Sequence, residues 1–482
     1  MHELDALFQR CAMKIAFMHY HLKTGGVTTC IKQQVAALKN DCDMLVITGE
    51  KPEETFPVDT VYIPELAYST LYRKPTNPEN IADAVMDAIQ TRFNGPADIL
   101  HVHNPVLAKN KCFLKILKAL QKKGITLFLQ IHDFAEDGRP LSYFAEDYLS
   151  DCHYSVVNSR DYRILLKAGL KKEGLHHLFN TVNLPESQPA SCDGNPYVVY
   201  PIRAIRRKNI GEAILLSFFF ENDETLVITL PPNSPADMQS YKDWKAFSAD
   251  HHLRVEFDTG LNRPFDAIVH SAQYLLTTSI TEGFGFSFLE PWLFERWVWG
   301  RKLPDICCDF EANGVRLDHM YTELNVPIGW VGLEGFFEKW NRTIRNTCKL
   351  FDIQIEQDRI QSAYNSITAD GTVDFGLLNE DYQRQVILRL LSDKVHLRDL
   401  VKLNPFLSKT GKGRNERDIV KINRRAVIRN YNMSLYRQKL LTTYETVNAY
   451  GVRQRIDKKI LLAEFLDLKK FSLLKWGDYG NR

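Results

Sequence analysis

No stretch of about 18 or more consecutive apolar residues occurs in this chain of 482 residues, which excludes a transmembrane helix legible in the sequence. Charge of one sign is missing too. The 61 Lys and Arg against 59 Asp and Glu leave a net charge of +2, and no global field draws the chain toward nucleic acid. Cysteine is sparse and unpatterned: nine residues, an odd number with no C-x-x-C pair, suit a reducing compartment better than a disulfide framework. Adjacent Cys307 and Cys308 cannot chelate zinc alone and read as packing residues. Walker A, G-x-S-x-G, zincin and G-x-G-x-x-G motifs are all absent, which removes the commonest signatures of P-loop, hydrolase, metalloprotease and nicotinamide chemistry. There is no short-period repeat or low-complexity tract. Met1-His2-Glu3-Leu4-Asp5 is no secretory signal, and the expectation is a cytoplasmic protein.

What remains is ordinary globular composition, 44% hydrophobic and 25% charged, in a chain long enough for two or three domains. Strand-like runs at residues 44–48, 98–103, 125–133, 154–158 and 177–180 alternate with helix-like segments, which predicts a parallel sheet with helices on both faces. Residues 184–195, rich in Pro, Ser, Asn and Gly, break the pattern and read as a linker. A second α/β unit starts at about Pro196, with a strand expected from Tyr197 that ends before a cationic loop carrying Arg203 and Lys208, and further strands at 225–229, 267–270 and 273–278. From about Val373 the periodicity turns helical, through Leu378, Tyr382, Val386, Leu388, Leu390 and Leu391 as one expected apolar set, and later through Tyr436, Leu440, Leu441, Tyr444 and Val447. Asn404-Pro405 interrupts it, and residues 409–415 read as an exposed loop.

Four short segments carry the chemistry. In Thr281-Glu282-Gly283-Phe284-Gly285-Phe286-Ser287-Phe288-Leu289-Glu290 two carboxylates stand with seven residues between them, across a glycine-rich turn from a strand into a helix. That is the carboxyl end of a strand, where open α/β sheets bind ligands and where helix-start N–H groups favour anions. Alone, the pair also fits a turn with two solvated acids. In the second segment the apolar run from Tyr197 ends in Arg203-Ala204-Ile205-Arg206-Arg207-Lys208, pairing a bidentate guanidinium with a mobile ammonium. The third is Gly25-Gly26, between a β-like run and a helix marked by Val27, Ile31, Val35 and Leu38. The fourth, His132-Asp133, ends a strand.

In this order the segments resemble the retaining glycosyltransferases of the E-x7-E type (glycosyltransferase family 4-like), whose GT-B architecture sets two doubly wound Rossmann-like domains across a cleft. The large family includes sucrose and trehalose-type synthases and many lipopolysaccharide transferases. The resemblance implies an acceptor-side domain over 1–185, a nucleotide-sugar-binding domain over 196–372 and a helical extension over 373–482 that packs back across them. It implies that Arg203 and Lys208 hold the donor diphosphate and that Gly25, Gly26, Gly283, Phe284 and Gly285 line the donor site. Glu290 would bind the ribose, Glu282 would lie near the sugar ring, and His132 near its 6-hydroxyl. The implied substrates are a nucleotide-sugar and a sugar, polyol, lipid or glycan acceptor, with no cofactor and no metal. Two readings of another class stay open: a silent sugar-nucleotide-binding protein, and an epimerase or phosphorylase of the same architecture.

The resemblance covers residues 13 to 310 and departs after Glu290. Pro291-Trp292-Leu293-Phe294-Glu295-Arg296-Trp297 puts bulk where the family turns through small residues, and Arg301 stands where glycine is common. Asp41-Cys42-Asp43 resembles a metal-binding D-x-D but falls between a helix end and a strand start, and it reads as a turn. His101 and His103 share one strand face, as a period of two requires, and line or pack the cleft. The basic residues around Arg424-Arg425 read as a solvated face, with peripheral membrane contact as the alternative.

Overall fold

The computed structural model describes residues 12–52, 55–71, 77–185, 196–221, 223–409 and 416–477. Most of the expected linker, residues 186–195, and residues 410–415 of the expected loop lie outside them. The chain forms two compact units, the first Met1–Thr181 with Tyr431–Phe465, the second Val182–Asn430 with Leu466–Arg482.

The first unit holds seven strands: β1 (Met13–His19), β2 (Cys42–Thr48), β3 (Thr60–Tyr62), β4 (Ile99–His103), β5 (Leu127–Ile131), β6 (His153–Val156) and β7 (Leu175–His177). Their order is β3-β2-β1-β4-β5-β6-β7, with every pairing parallel. Parallel strands covered on both faces are apolar at successive positions, and β1 shows how the pleat sorts them. Ala16 and Met18 join a core with the helices Pro78–Phe93 and Phe113–Lys122. Ile15 and Phe17, on the other face, join Ile31 and Val35 of the helix Gly26–Leu38 and Tyr436, Leu440, Tyr444 and Val447 of the helix Met433–Ala449. The C-terminal periodicity therefore buries its apolar stripe in the first unit. The last expected strand starts two residues earlier, at Leu175.

The second unit carries β8 (Tyr197–Arg203), β9 (Thr225–Leu230), β10 (Val255–Phe257), β11 (Ala272–Thr277) and β12 (Val298–Gly300), in the parallel order β10-β9-β8-β11-β12. A small antiparallel pair, β13 (Asn325–Pro327) and β14 (Thr372–Asp374), completes it. Residues 267–270, expected as a strand, lie in the helix Phe265–Ser271, which runs straight into β11. A four-residue apolar run fits either state, and Pro264 at the N-cap with Asp266 in the first turn starts a helix here. Val373 sits in β14, and long helices already precede it at Leu333–Leu350 and Gln357–Ile367, with helix resuming at Glu380–Ser392 where Leu388 and Leu391 are exposed. β12 was not legible amid Trp297, Val298 and Trp299. Gly300 ends it at φ +127°, where a Cβ would fall 2.0 Å from the Thr277 carbonyl oxygen, so only glycine lets β12 lie against β11.

Both sheets reverse direction beside their first strand, giving β2-β1-β4 in one and β9-β8-β11 in the other. Ligands of open parallel sheets bind at such switch points, outside the carboxyl ends of the strands. Among the described residues, no helix is long and apolar enough to cross a membrane.

Candidate active site

In the second unit the loops leaving β8 and β11 are stitched together. The Tyr200 hydroxyl donates to the Lys208 carbonyl at 2.8 Å and meets Ser279 Oγ at 3.0 Å. The Thr278 hydroxyl donates to the carbonyls of Lys208 and Asn209 at 3.1 and 3.0 Å, and the Ile280 N–H donates to the Arg207 carbonyl at 3.0 Å. Asn209 turns the chain through the left-handed region (φ 52°) and is fixed by Glu212 and Gln383. These bonds bring Lys208 onto Glu282, and its ammonium donates to Glu282 Oε1 in a largely buried ion pair.

The two glutamates reach opposite electrostatic states. Burial alone would raise the pKa of Glu282, but Lys208, Arg207 and a hydrogen bond from Ser279 outweigh it and hold the carboxyl below the usual range. Glu290, the first residue of the short helix Glu290–Leu293, has only the more distant charge of Lys208 against its burial, and its pKa is pushed up to about 7. Its carboxyl takes no hydrogen bond among the described residues. Between them Phe284 is buried, edge-on to Phe286 and Phe310 with centroids 5.0 and 5.7 Å away. Gly285 has φ +96°, and a Cβ there would meet Phe288 at 3.0 Å and Ile306 at 3.2 Å. The Gly-Phe-Gly turn is thus pinned by one ring and one obligatory glycine, with Gly283 half-buried beside Glu282.

Among the neighbouring cations, Arg206 forks onto Glu380 at 2.6 and 2.9 Å and also donates to the Gly477 carbonyl, tying the helix Glu380–Ser392 to the loop. Arg203, at the carboxyl end of β8, is half-buried and makes one long bond among the described residues, from Nη1 to the Pro231 carbonyl at 3.4 Å. Arg301 is fully committed instead: it donates to Glu212 at 2.8 and 2.6 Å and to Asp374 at 2.9 and 2.8 Å, in a buried cluster with Tyr321. The place where the family favours glycine here holds an internal ion network behind the loops.

In the first unit, Gly25 caps the helix Gly26–Leu38 in an extended conformation (φ 170°), after β1. A Cβ at Gly25 would come no nearer than 3.9 Å to any atom, and one at Gly26 would meet nothing within 4 Å. The fold itself does not require either glycine. His132 and Asp133 leave β5, and their backbone N–H groups both donate to Asn104 Oδ1, at 2.8 and 3.1 Å. Asn104, left-handed at φ 53°, ties the end of β4 to the end of β5. Its role was not anticipated, although an Asn-Pro step at a strand end is a turn signal.

His132 Nε2 lies 2.9 Å from His103 Nδ1, and the rings of His101, His103 and His132 stack in succession. Burial lowers the pKa of His132 to about 4, leaving a neutral imidazole at pH 7. His101 meets the Tyr444 hydroxyl at 2.8 Å, so these strand histidines pack inside the unit. Cys30, His103 and His132 offer donor atoms within 4.8 Å of one another. Each already has a hydrogen-bond partner, Cys30 Sγ donating to Asn180 Oδ1 at 3.2 Å. The D-x-D acids are paired with arginines: Asp43 with Arg92 at 2.7 Å, and Asp41 with Arg437 Nε at 2.6 Å.

Two parallel-sheet α/β units, each with a switch point beside its first strand, match the GT-B fold of glycosyltransferases. No protein-family model matches the chain. In sequence it is similar to the mannosylglucosyl-3-phosphoglycerate synthase of Petrotoga mobilis, 26% identical over 429 residues that cover 80% of this chain and 82% of the relative. Among solved structures it is similar to sucrose-phosphate synthase from Thermosynechococcus elongatus, with TM-score 0.54, 13% identity and coverage of 90% of this chain and 98% of the other. It is also similar to Anabaena Alr3699/HepE in complex with UDP-glucose, with TM-score 0.53, 12% identity and coverage of 90% and 99%. The solved structures give this chain the GT-B fold, and its relative in sequence is a synthase that acts on a glycosylated phosphoglycerate by name.

Proposed function

We propose that the protein transfers a sugar from a nucleoside-diphosphate sugar to a small anionic acceptor, with retention of anomeric configuration and without a divalent metal. The observation that carries this reading is the pairing of Arg203, which makes one long bond among the described residues, with Lys208, which is held by Glu282 at the carboxyl end of the same sheet. Arg203 binds diphosphate oxygens, and Lys208 neutralises the leaving diphosphate as its charge grows, the electrostatic work that often dominates such transfers. Glu290 accepts hydrogen bonds from the ribose, with its proton displaced on binding. Glu282, already ionised, steadies positive charge at the anomeric carbon. On the first unit, neutral His132 offers a hydrogen bond to a sugar hydroxyl, and the open backbone at Gly25 and Gly26 admits a ligand group where a side chain would intrude.

The acceptor reading rests on the relative, whose name contains 3-phosphoglycerate. The described cysteines are reduced thiols, which suits the cytoplasm as the site of action. A panel of UDP-, GDP- and ADP-sugars, each with 3-phosphoglycerate or its glucoside, tests the proposal by protein-dependent nucleotide release and by the anomeric coupling of the product in NMR. An α-linked product from an α-linked donor is expected. An inverted product would remove the assigned role of Glu282, and nucleotide release that ignores the acceptor would favour an epimerase or hydrolase.

A further inference from the structure

Behind the loop that carries Lys208, in the interior of the second unit, Arg301 is bonded at every donor it has. It directly follows β12 and is buried. Its Nε and Nη2 donate to Glu212 at 2.8 and 2.6 Å, its Nη1 and Nη2 donate to Asp374 at 2.9 and 2.8 Å, and Nη1 also donates to the Thr322 carbonyl at 2.9 Å. These bonds use each N–H of the guanidinium fork, a match that a lysine ammonium, with fewer donors and no fork, cannot make. Gly376 leaves the space for it, since a Cβ there would stand 3.0 Å from Arg301 Cζ.

The network reaches Lys208 through one residue. Glu212, on the helix Ile210–Leu216, is fully buried; its Oε1 accepts from the Tyr321 hydroxyl at 2.6 Å and its Oε2 from Asn209 Nδ2 at 2.7 Å. Asn209 Oδ1 in turn accepts from Gln383 Nε2 at 2.8 Å, so the amide is held on both sides. Asn209 is the neighbour of Lys208 and turns the chain at φ 52°, a left-handed conformation that a residue with a side chain keeps when its surroundings fix it. Replacing a buried ion network by apolar packing of similar volume is often neutral or stabilising, so stability is a weak account of this one. What a fully bonded guanidinium supplies is a single geometry. It runs from Asp374 of β14 through Arg301 and Glu212 to the turn that brings Lys208 onto Glu282.

Resting on the donor-site reading above, we propose that Arg301, Glu212 and Asn209 form a positioning network for Lys208, and through it set the affinity for the donor diphosphate. Arg301 touches no substrate in this role. It fixes the turn on which the ammonium is carried, so that a diphosphate meets Lys208 already in place and the cost of ordering it is met in folding rather than in binding.

The test is a pair of double-variant cycles, read by calorimetric titration of the full chain with UDP, GDP and ADP and with their parent nucleosides. Arg301→Lys keeps the buried charge and loses the fork, and Asn209→Gly keeps the left-handed turn and loses the amide. Each should weaken the preferred nucleoside diphosphate by about tenfold, as misplacing a charge-assisted bond should, and leave the response to the nucleoside unchanged. In the Lys208→Ala background neither should weaken it further, because the group being positioned is gone. Losses that add in that background, or equal losses for nucleoside and diphosphate, would overturn the assignment in favour of a purely structural role. So would wild-type diphosphate affinity in Asn209→Gly, whose own cycle decides the matter if Arg301→Lys does not fold. A wild type that binds no nucleoside diphosphate, or a Lys208→Ala variant that binds one as tightly as wild type, would overturn the donor-site reading and this positioning role with it.

Discussion

Glu282 and Glu290 share one loop and one lysine, yet the protein moves their acidities in opposite directions, which gives each a distinct pH signature. Glu282 has a folded pKa below its ordinary value, so its contribution to stability is present at neutral pH and is lost as pH falls through that depressed value. Glu290 has a folded pKa of about 7, above the ordinary 4.5, and the folded state holds its proton more tightly than the unfolded chain does. Its contribution is therefore complete below about 4.5 and disappears as pH rises through about 7. In denaturant melts of the unliganded protein, Glu290→Gln should gain stability relative to wild type between pH 5 and 7.5. Glu282→Gln should lose stability at neutral pH and approach wild type in acid. Parallel curves for the two variants would contradict the assigned environments. In kinetics, Glu282→Gln should slow transfer more than it weakens nucleotide binding, and Glu290→Ala should do the reverse. Rates within about twofold of wild type for both, under ~0.5 kcal/mol of barrier, would rule out the catalytic pair.

The elements show why some of this was legible in the sequence and some was not. Buried parallel strands announce themselves as apolar runs, and β2, β4, β5, β8, β9 and β11 stand close to where the runs predict them. The run at 267–270 failed because four apolar residues carry no period, and the helix Phe265–Ser271 passes into β11 without a loop to mark the change. β12 failed because its three residues are hidden in a tryptophan-rich stretch, and what defines it is the approach of Gly300 to Thr277. At the site, Arg203, Lys208, Glu282 and Glu290 were visible as a spacing, whereas Asn104, Tyr200 and Thr278 hold the loops through backbone carbonyls and N–H groups, which no side-chain pattern records. The glycines separate the two kinds of constraint. Gly300→Ala should cost about 4 kcal/mol or more in thermal or denaturant melts, because a backbone oxygen occupies the space of the new Cβ. Gly26→Ala, at a helix start with open space, should leave stability unchanged or raise it by about 0.4–1 kcal/mol while lowering transfer. Full activity in Gly26→Ala would show that the Gly-Gly loop is a βα turn without a ligand.

At the scale of the whole molecule, the last stretch of chain is shared between the units. Residues 431–465 complete the first, where Tyr436, Leu440 and Tyr444 cover one face of its sheet, and Phe471 and Trp476 pack within the second. Ending the chain at Asn430 should therefore expose apolar surface in both units and give insoluble protein, read by soluble yield and by binding of a hydrophobic dye. Transfer should survive exhaustive chelation, since two side-chain cations are assigned the work of a metal ion. Loss of activity in EDTA that manganese or magnesium restores would contradict that assignment.

The central claim is that the loop leaving β8 binds a nucleoside diphosphate, and thermal melting tests it without knowledge of sugar or acceptor. A nucleoside diphosphate at ~100 times its dissociation constant should stabilise wild type by ~2.7 kcal/mol, with the free nucleoside far less effective. The variant combining Arg203→Ala with Lys208→Ala should fold and lose most of that difference. Equal stabilisation by nucleoside and diphosphate, or an undiminished response in the double variant, would contradict the account.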